Sequence, residues 1–390
     1  MNELIVKKYS NAIILPYKRD PRGTTGLGGV LDSNGNFIED SYCHGGRFEH
    51  GGFYEWNKSI LKKSNEKVFY FGYFLPHWGH FLIDCLGRMW PFGDNKNDLS
   101  DYKIAFISNQ SAFYPNCYDF FAALGIDKSR IIWIDVPTQF AEIQIPAMSY
   151  TPEPGRFFYP QYIDMFNRVI DSILAKTPKS SVEKRYGTID KVYFTRSQFN
   201  NALSREVGLK VIDSVMRNGG FNILAPEKLS LADQVAIWNY ASEIACINGT
   251  IPLNVIFNRN RCTCGGGCGG KSLKLIVLNK MNHAHTNLIE YLDIRKGVNC
   301  RFIDVQDKRI IDLSIGDGRG LGPFRIGITK ELIQWMEENN IPTKDATYKE
   351  NLVSKTVKYF LLFFLNAPRP WLAKHLPESF RKYARKFLRK

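Results

Sequence analysis

From Lys191 to Asn279, short runs of β-branched and aromatic residues alternate with stretches of helical periodicity. That alternation restricts the chain to an α/β architecture with parallel strands. Lys191-Val-Tyr-Phe-Thr-Arg196, Phe221-Asn-Ile-Leu224, Glu243-Ile-Ala-Cys-Ile247 and Leu273-Lys-Leu-Ile-Val-Leu278 read as strands. Glu206 to Arg217 reads as a helix stopped by Asn218-Gly-Gly, and Ser230 to Tyr240 as one whose Ser230-Leu-Ala-Asp233 resembles a capping box. Leu253 to Phe257 opens another. The first half of the chain repeats this less regularly. Lys67–Gly72, Lys103–Ser108 and Ile131–Asp135 read as strands, and His77–Trp90 and Tyr114–Leu124 as helices, after a glycine-rich stretch of irregular β. Pro146 to Pro160, with four prolines and a glycine, reads as a linker. A helix from Gln161 to Ala175 then crosses toward a second unit. Loops at the strand ends of two such units place a site in the cleft between them.

Charge separates the body from the tail. The 390 residues carry a net +14. From Val353 to Lys390 there are ten Lys or Arg against one acid, Glu378, a net +9 that leaves +5 for the first 352 residues. Ser379 to Lys390 places Phe380, Tyr383, Ala384, Phe387 and Leu388 on one helical face and six basic residues on the other, the layout of an interfacial helix on an anionic membrane. Tyr359–Leu365 and Trp371-Leu add apolar groups upstream. The alternatives are a helix docked on the protein's own body and a nucleic-acid arm. The second is disfavoured because the aromatics lie on the apolar face rather than between the cations. The longest apolar run, Tyr359 to Leu365, has seven residues against the roughly 20 that span a bilayer. The N-terminus shows no signal peptide, and the eight cysteines read as reduced thiols. A cytoplasmic protein, peripheral on the inner face of the plasma membrane, is expected.

Three constellations carry chemistry. His77-Trp-Gly-His80-Phe-Leu-Ile-Asp84-Cys-Leu-Gly-Arg88 spaces its polar residues by 3, 4 and 4, one face of a helix. Asp84 or His80 can act there as a general base, with Arg88 balancing charge; an exposed Asp84–Arg88 pair is the plain alternative. Glu243 to Asn248-Gly-Thr250-Ile-Pro-Leu-Asn254 runs from a strand into a helix start, where backbone N–H groups suit phosphate. Arg196 ends a strand, with Arg205 and Lys210 close in sequence, and guanidinium forks suit diphosphates. Cys262, Cys264 and Cys268 offer three thiols, and His283 or His285 a fourth ligand, without the paired spacing of zinc knuckles. The cluster reads more simply as a glycine-rich loop. Gly23–Gly29 and Gly316–Gly322 read as turns rather than phosphate loops.

The order of these pieces resembles glycosyltransferase family 61. The matching blocks are Val192-Tyr-Phe-Thr-Arg196, Leu229 to Gln234, and Ala241 through Asn248-Gly-Thr-Ile-Pro-Leu-Asn254 to Phe257. Upstream, His80-Phe-Leu-Ile-Asp84-Cys-Leu-Gly-Arg88 is similar to the family's His-Trp-Leu-x-Asp-x-Leu-Pro-Arg block. The resemblance implies a GT-B-like fold of two Rossmann-like domains facing a cleft, and inverting transfer from a nucleotide-sugar, usually UDP-linked, with no metal or other cofactor required. It divides the chain into an acceptor-side domain (1–150), a linker and crossover helix (151–185), a nucleotide-sugar-binding domain (186–330) and C-terminal helices with the basic tail (331–390). Asp84 or His80 then serves as base. Arg196 with the Gly249–Thr250 turn holds the diphosphate, Glu227 the donor ribose, and Arg205, Asn248 and Asn254 line the donor side. The acceptor expected is a surface polysaccharide or lipid-linked glycan, in bacterial capsule or lipopolysaccharide synthesis. Two departures stand out: Asn248-Gly249 replaces the family's His-Gly, and Ser204-Arg205-Glu206 only loosely echoes its Asn/Glu block. The first leaves a non-catalytic binding or scaffolding subunit as the alternative.

Overall fold

Val68 to Tyr73 is buried at every position, the mark of a central strand covered on both faces. This run ends β4 (Lys62–Tyr73), the middle of a seven-stranded sheet. The computed structural model describes residues 4–20, 26–43, 50–75, 77–93, 99–110, 113–152, 157–259, 272–281, 286–310 and 322–366. It divides into two units, Met1–Pro178 with Ser230–Val235, and Lys179–Leu229 with Ala236–Lys390.

In the first unit β1 (Val6–Ser10), β2 (Ile13–Arg19) and β3 (Gly26–Leu31) precede β4. After α1 (Trp78–His80) come β5 (Tyr102–Ile107), α2 (Pro115–Ala123), β6 (Ile131–Trp133), β7 (Thr138–Pro146), the short pair β8 (Tyr150–Thr151) and β9 (Phe157–Phe158), and α3 (Pro160–Leu174). The sheet runs β3-β2-β7-β4-β5-β6, with β1 on β7. β7, β4, β5 and β6 are parallel, while β1, β2 and β3 join antiparallel. The sheet is therefore mixed rather than the fully parallel one expected of a Rossmann-like half. One face packs Val68, Tyr70, Ala105, Ile107, Ile143 and Ile145. The other meets an aromatic cluster in which Phe71 lies 4.2 Å from Phe106 and Phe81 stands edge-on to Phe120 and Phe121.

Three expectations are corrected here. Residues 138–160 hold β7 and a hairpin and belong to this unit, so the proline-rich stretch is not simply a linker. Gly26, Gly28 and Gly29 lie in β3 rather than a turn. The stretch 77–90 is not one helix. A single α-turn passes into a π-turn over Phe81–Cys85 and then a 3-10 turn over Leu86–Arg88.

The second unit opens with α4 (Lys179–Tyr186), β10 (Lys191–Phe194), α5 (Asn200–Leu203), β11 (Glu206–Val207), α6 (Leu209–Asn218) and β12 (Asn222–Leu224). It continues through α7 (Leu231–Tyr240), of which Leu231–Val235 belongs to the first unit, and then β13 (Glu243–Ile247), β14 (Lys274–Asn279), α8 (Thr286–Ile294), β15 (Asn299–Asp304), β16 (Phe324–Arg325), α9 (Lys330–Glu338) and α10 (Leu352–Asn366). Five parallel strands run β12-β10-β13-β14-β15. This doubly wound order reverses direction between β10 and β13, and such sheets bind ligands outside the carboxyl ends of the strands at that point. α6 buries Leu209, Ile212, Val215 and Met216 at helical spacing against Tyr193, Ala245 and Ile276. Its end is set by Gly220 at φ +77°, a left-handed conformation glycine adopts without strain. Ser230 caps α7, accepting from the Asp233 N–H at 3.1 Å and donating to its carboxylate at 2.8 Å.

Glu206 does not begin a helix. It lies in β11, which pairs with β16, and Gly208 turns the chain into α6 at φ +89°. A Cβ on Gly208 would fall 1.8 Å from the Ile326 carbonyl. On the far side of β11, Val207 packs with Ile310, Tyr359 and Leu362. α10 is fixed there by Lys355, whose ammonium lies 2.8 Å from Asp307 and 2.6 Å from Glu350. The basic helix of residues 379–390 lies outside the described residues, as does most of the Gly316–Gly322 cluster. Among the described residues no helix is long and apolar enough to cross a membrane.

Candidate active site

Two clusters of polar side chains stand out, one in each unit. In the first, the π-turn decides the geometry. A π-turn adds a residue to a helical turn and is enriched at functional sites. Here it carries Asp84, whose carboxylate lies 2.7 Å from His80 Nδ1. The imidazole is one-third exposed and the carboxylate 11 %. His77 stacks obliquely on His80 with ring centres 5.2 Å apart.

Arg88 does not balance Asp84. It is 1 % exposed and points to the other side, where Nη1 donates to Cys43 Sγ and Nη2 to the carbonyls of Asp40 and Tyr42, all at 2.9 Å. Its guanidinium lies over the Tyr70 ring, and a bulge in β4 makes room for it. At that bulge Gly72 has φ +104°, and a Cβ there would meet Arg88 Nη1 at 2.9 Å. Arg88 therefore locks residues 40–43 onto the sheet. His50, invisible as a site residue in the sequence, is buried beside this cluster. It accepts from the Gly26 N–H at Nδ1 and lies with its ring 3.8 Å from Tyr73. Burial, helped by the charge of His80, pushes its pKa down to about 4.

The second cluster gathers at the carboxyl ends of β10, β13 and β14. Arg196 follows β10 and grips Glu206, with Nε 3.1 and 3.2 Å from the two oxygens and Nη2 at 3.0 Å. Lys280, the residue after β14, lies 2.5 Å from the same carboxylate. The side chains are 15 %, 1 % and 7 % exposed for Arg196, Glu206 and Lys280. Burial pushes the Glu206 pKa up, but Lys280 and Arg196 overcome it and hold the carboxyl below its ordinary range. Burial drives Lys280 down to about 8, against the pull of Glu206 and with the help of Arg196. The loop bearing Arg196 is pinned by Asp213 of α6, which accepts from Thr195 Oγ1 and Ser197 Oγ, both at 2.6 Å.

The loop after β13 reaches the same place. Asn248 is fully buried and its N–H bonds the Leu278 carbonyl. Gly249 has φ +150°, and the atom nearest to a Cβ built on it, among the described residues, is Lys280 Nζ at 4.0 Å. Thr250 then leads into Ile251–Phe257, a 3-10 helix rather than the α-helix expected, with Asn254 buried inside it. Arg205 is exposed, close enough for its charge to act on Lys280. Glu227 is exposed on the turn after β12, and Lys228 of that turn bonds Gln198 in the Arg196 loop. Arg196, Arg205, Asn248, Gly249 and Thr250 thus share one strand-end site. Glu206, from the Ser204-Arg205-Glu206 block, joins them, as does Lys280, which no motif announces. Gln234 is buried in α7. Cys262, Cys264, Cys268, His283 and His285 lie outside the described residues. Among the described residues no three His, Cys, Asp or Glu gather as a metal site requires.

Residues 78–265 match the family described as Glycosyltransferase 61. The match takes in His80, Asp84 and Arg88 of the first cluster and the second cluster through Thr250, and stops short of Lys280. Comparison with curated proteins gave no significant match.

Proposed function

We infer that the chain is a glycosyltransferase of family 61, from the match over residues 78–265. From that premise we propose that it works by inversion, moving a sugar from a nucleotide-sugar, UDP-linked, to a surface polysaccharide or lipid-linked glycan of bacterial capsule or lipopolysaccharide synthesis. The division of labour is that of a GT-B enzyme, with the acceptor handled by the first unit and the donor by the second. The observation that carries this reading is the strand order β12-β10-β13-β14-β15. It puts the reversal between β10 and β13, the two strands that lead into Arg196 and into Asn248-Gly249-Thr250.

The acceptor hydroxyl attacks the anomeric carbon, the bond from that carbon to the diphosphate oxygen breaks, and the hydroxyl proton passes to a base. His80 is that base and Asp84 its orienting partner. With Nδ1–H directed at the Asp84 carboxylate, Nε2 is the basic nitrogen. The leaving diphosphate needs fixed positive charge. Arg196, held rigid by Glu206 and by the loop pinned on Asp213, supplies it with Arg205 and the Gly249–Thr250 backbone. Glu227 accepts from the donor ribose. No metal is required in this scheme. The first part of the 353–390 stretch is not free for a membrane, since Lys355, Tyr359 and Leu362 of α10 are buried on the protein's own body. The basic tail that follows α10 holds the enzyme on the inner face of the plasma membrane, where a lipid-linked acceptor is found. Incubating the purified protein with a panel of UDP-sugars and an acceptor extract tests the reading. Neither turnover nor binding of any UDP-sugar would defeat it.

A further inference from the structure

Lys280 has no place in the motifs above and lies beyond the residues that match the family. Burying an ammonium is costly, and a neutral side chain of similar volume would avoid the cost. The chain keeps it, pairs it with Glu206 at 2.5 Å, and sets it 4.5 Å from the Phe324 ring. Its neighbours explain where it can act. Gly249 has no side chain, and the space its Cβ would occupy has Lys280 Nζ as its nearest atom at 4.0 Å, among the described residues. That opening lies on the loop that follows β13, at the reversal in strand order. Glu206 ties Lys280 to Arg196, so the two cations share one carboxylate and leave a net +1, to which exposed Arg205 adds another charge.

We propose that Lys280 is a donor-binding residue that, opposite Arg196 and across the open face of Gly249, contacts the diphosphate of the nucleotide-sugar, with Glu206 as the positioning residue that holds both cations. The assignment rests on reading this site as the donor side. It makes the cradle two-sided: a planar fork from the end of β10 and a compact point charge from the end of β14. An anion placed over Gly249 meets an ammonium already desolvated and fixed, so little reorganisation is needed on binding.

The test is calorimetric titration of the full chain with UDP and with uridine, comparing wild type with K280M. Wild type should bind UDP more tightly than uridine. K280M should lose about tenfold to a hundredfold in UDP affinity, the range of a charge-assisted hydrogen bond, and keep its uridine affinity. K280M leaves Glu206 with one cation, so E206Q and E206Q/K280M are titrated beside it. The same ratio is expected between those two. Equal UDP affinity with and without Lys280, or parallel loss of UDP and uridine, overturns the assignment. If wild type binds no nucleoside diphosphate, among UDP, GDP and ADP, the donor-side reading itself falls.

Discussion

Replacing Lys355 by Met tests how α10 is held. The ammonium is 5 % exposed and lies 2.8 Å from Asp307, itself 2 % exposed, and 2.6 Å from Glu350. Methionine keeps the volume, so the change removes charge without opening a cavity. Stripping one partner from a buried pair costs about 3–5 kcal/mol. The low end applies, since Arg309 still holds both Asp307 oxygens at 2.7 Å from its exposed side. A loss of about 3 kcal/mol lowers the melting temperature of a unit this size by about 6–12 °C. The pH dependence gives a second signature. Burial pushes the Asp307 carboxyl up, but Arg309 and Lys355 hold it well below the ordinary carboxylate range. A folded pKa below the unfolded one stabilises fully above the unfolded value, about 4, and fades as the pH falls toward the folded one. The gap between wild type and K355M should therefore narrow in acid. Calorimetry from pH 3 to 7 measures this, with hydrogen exchange of the Glu206–Ile212 peptide identifying the second unit's transition. D307N/K355M should stand above K355M alone. A K355M midpoint within 1 °C of wild type at pH 7 would refute the reasoning.

Three further outcomes follow from the two clusters and the tail. H80A should lower kcat by about 10²–10⁴, the range of a lost general base, and D84N should lower it by no more than H80A does, with the circular-dichroism spectrum unchanged; full activity in D84N removes Asp84 from the base pair. UDP affinity should hold at pH 7 and weaken as pH rises through about 8, where Lys280, lowered by burial and by Arg196 and Arg205 against the pull of Glu206, gives up its proton; a titration series flat from pH 7 to 9 contradicts this. Removing residues 370–390 should release the protein from anionic vesicles in a flotation assay, and unchanged flotation refutes the anchor.

The second unit was the more legible. Its strands are buried, continuous and β-branched, so Lys191, Glu243 and Leu273 could be marked as strand starts within a residue. Its site was half legible. Arg196 and Asn248–Thr250 sit at strand ends, where pattern alone points. Lys280 is a single lysine whose partner Glu206 lies 74 residues away, and no local period records that. β11 is two residues long, too short for alternation to register, so Glu206 was drawn into the helix that follows it. The stretch 77–90 failed for another reason. Spacings of 3 and 4 describe an α-helix, and a π-turn followed by a 3-10 turn keeps nearly the same spacings while turning Arg88 away from Asp84. The antiparallel half of the first sheet hid among glycines, and β7 ran into the prolines that suggested a linker.

The two-residue strand β11 carries a practical consequence. Side chains on a strand alternate sides, so Glu206 meets Arg196 and Lys280 while Val207 rests on Tyr359 and Leu362. Anyone trimming the sticky basic end to gain solubility faces a narrow choice. A cut after Asn366 spares the whole of α10. A cut ahead of Lys355 also takes away the floor on which Glu206 stands, uncovering Val207 and Ile310 and loosening the short strand that holds the two donor-side cations.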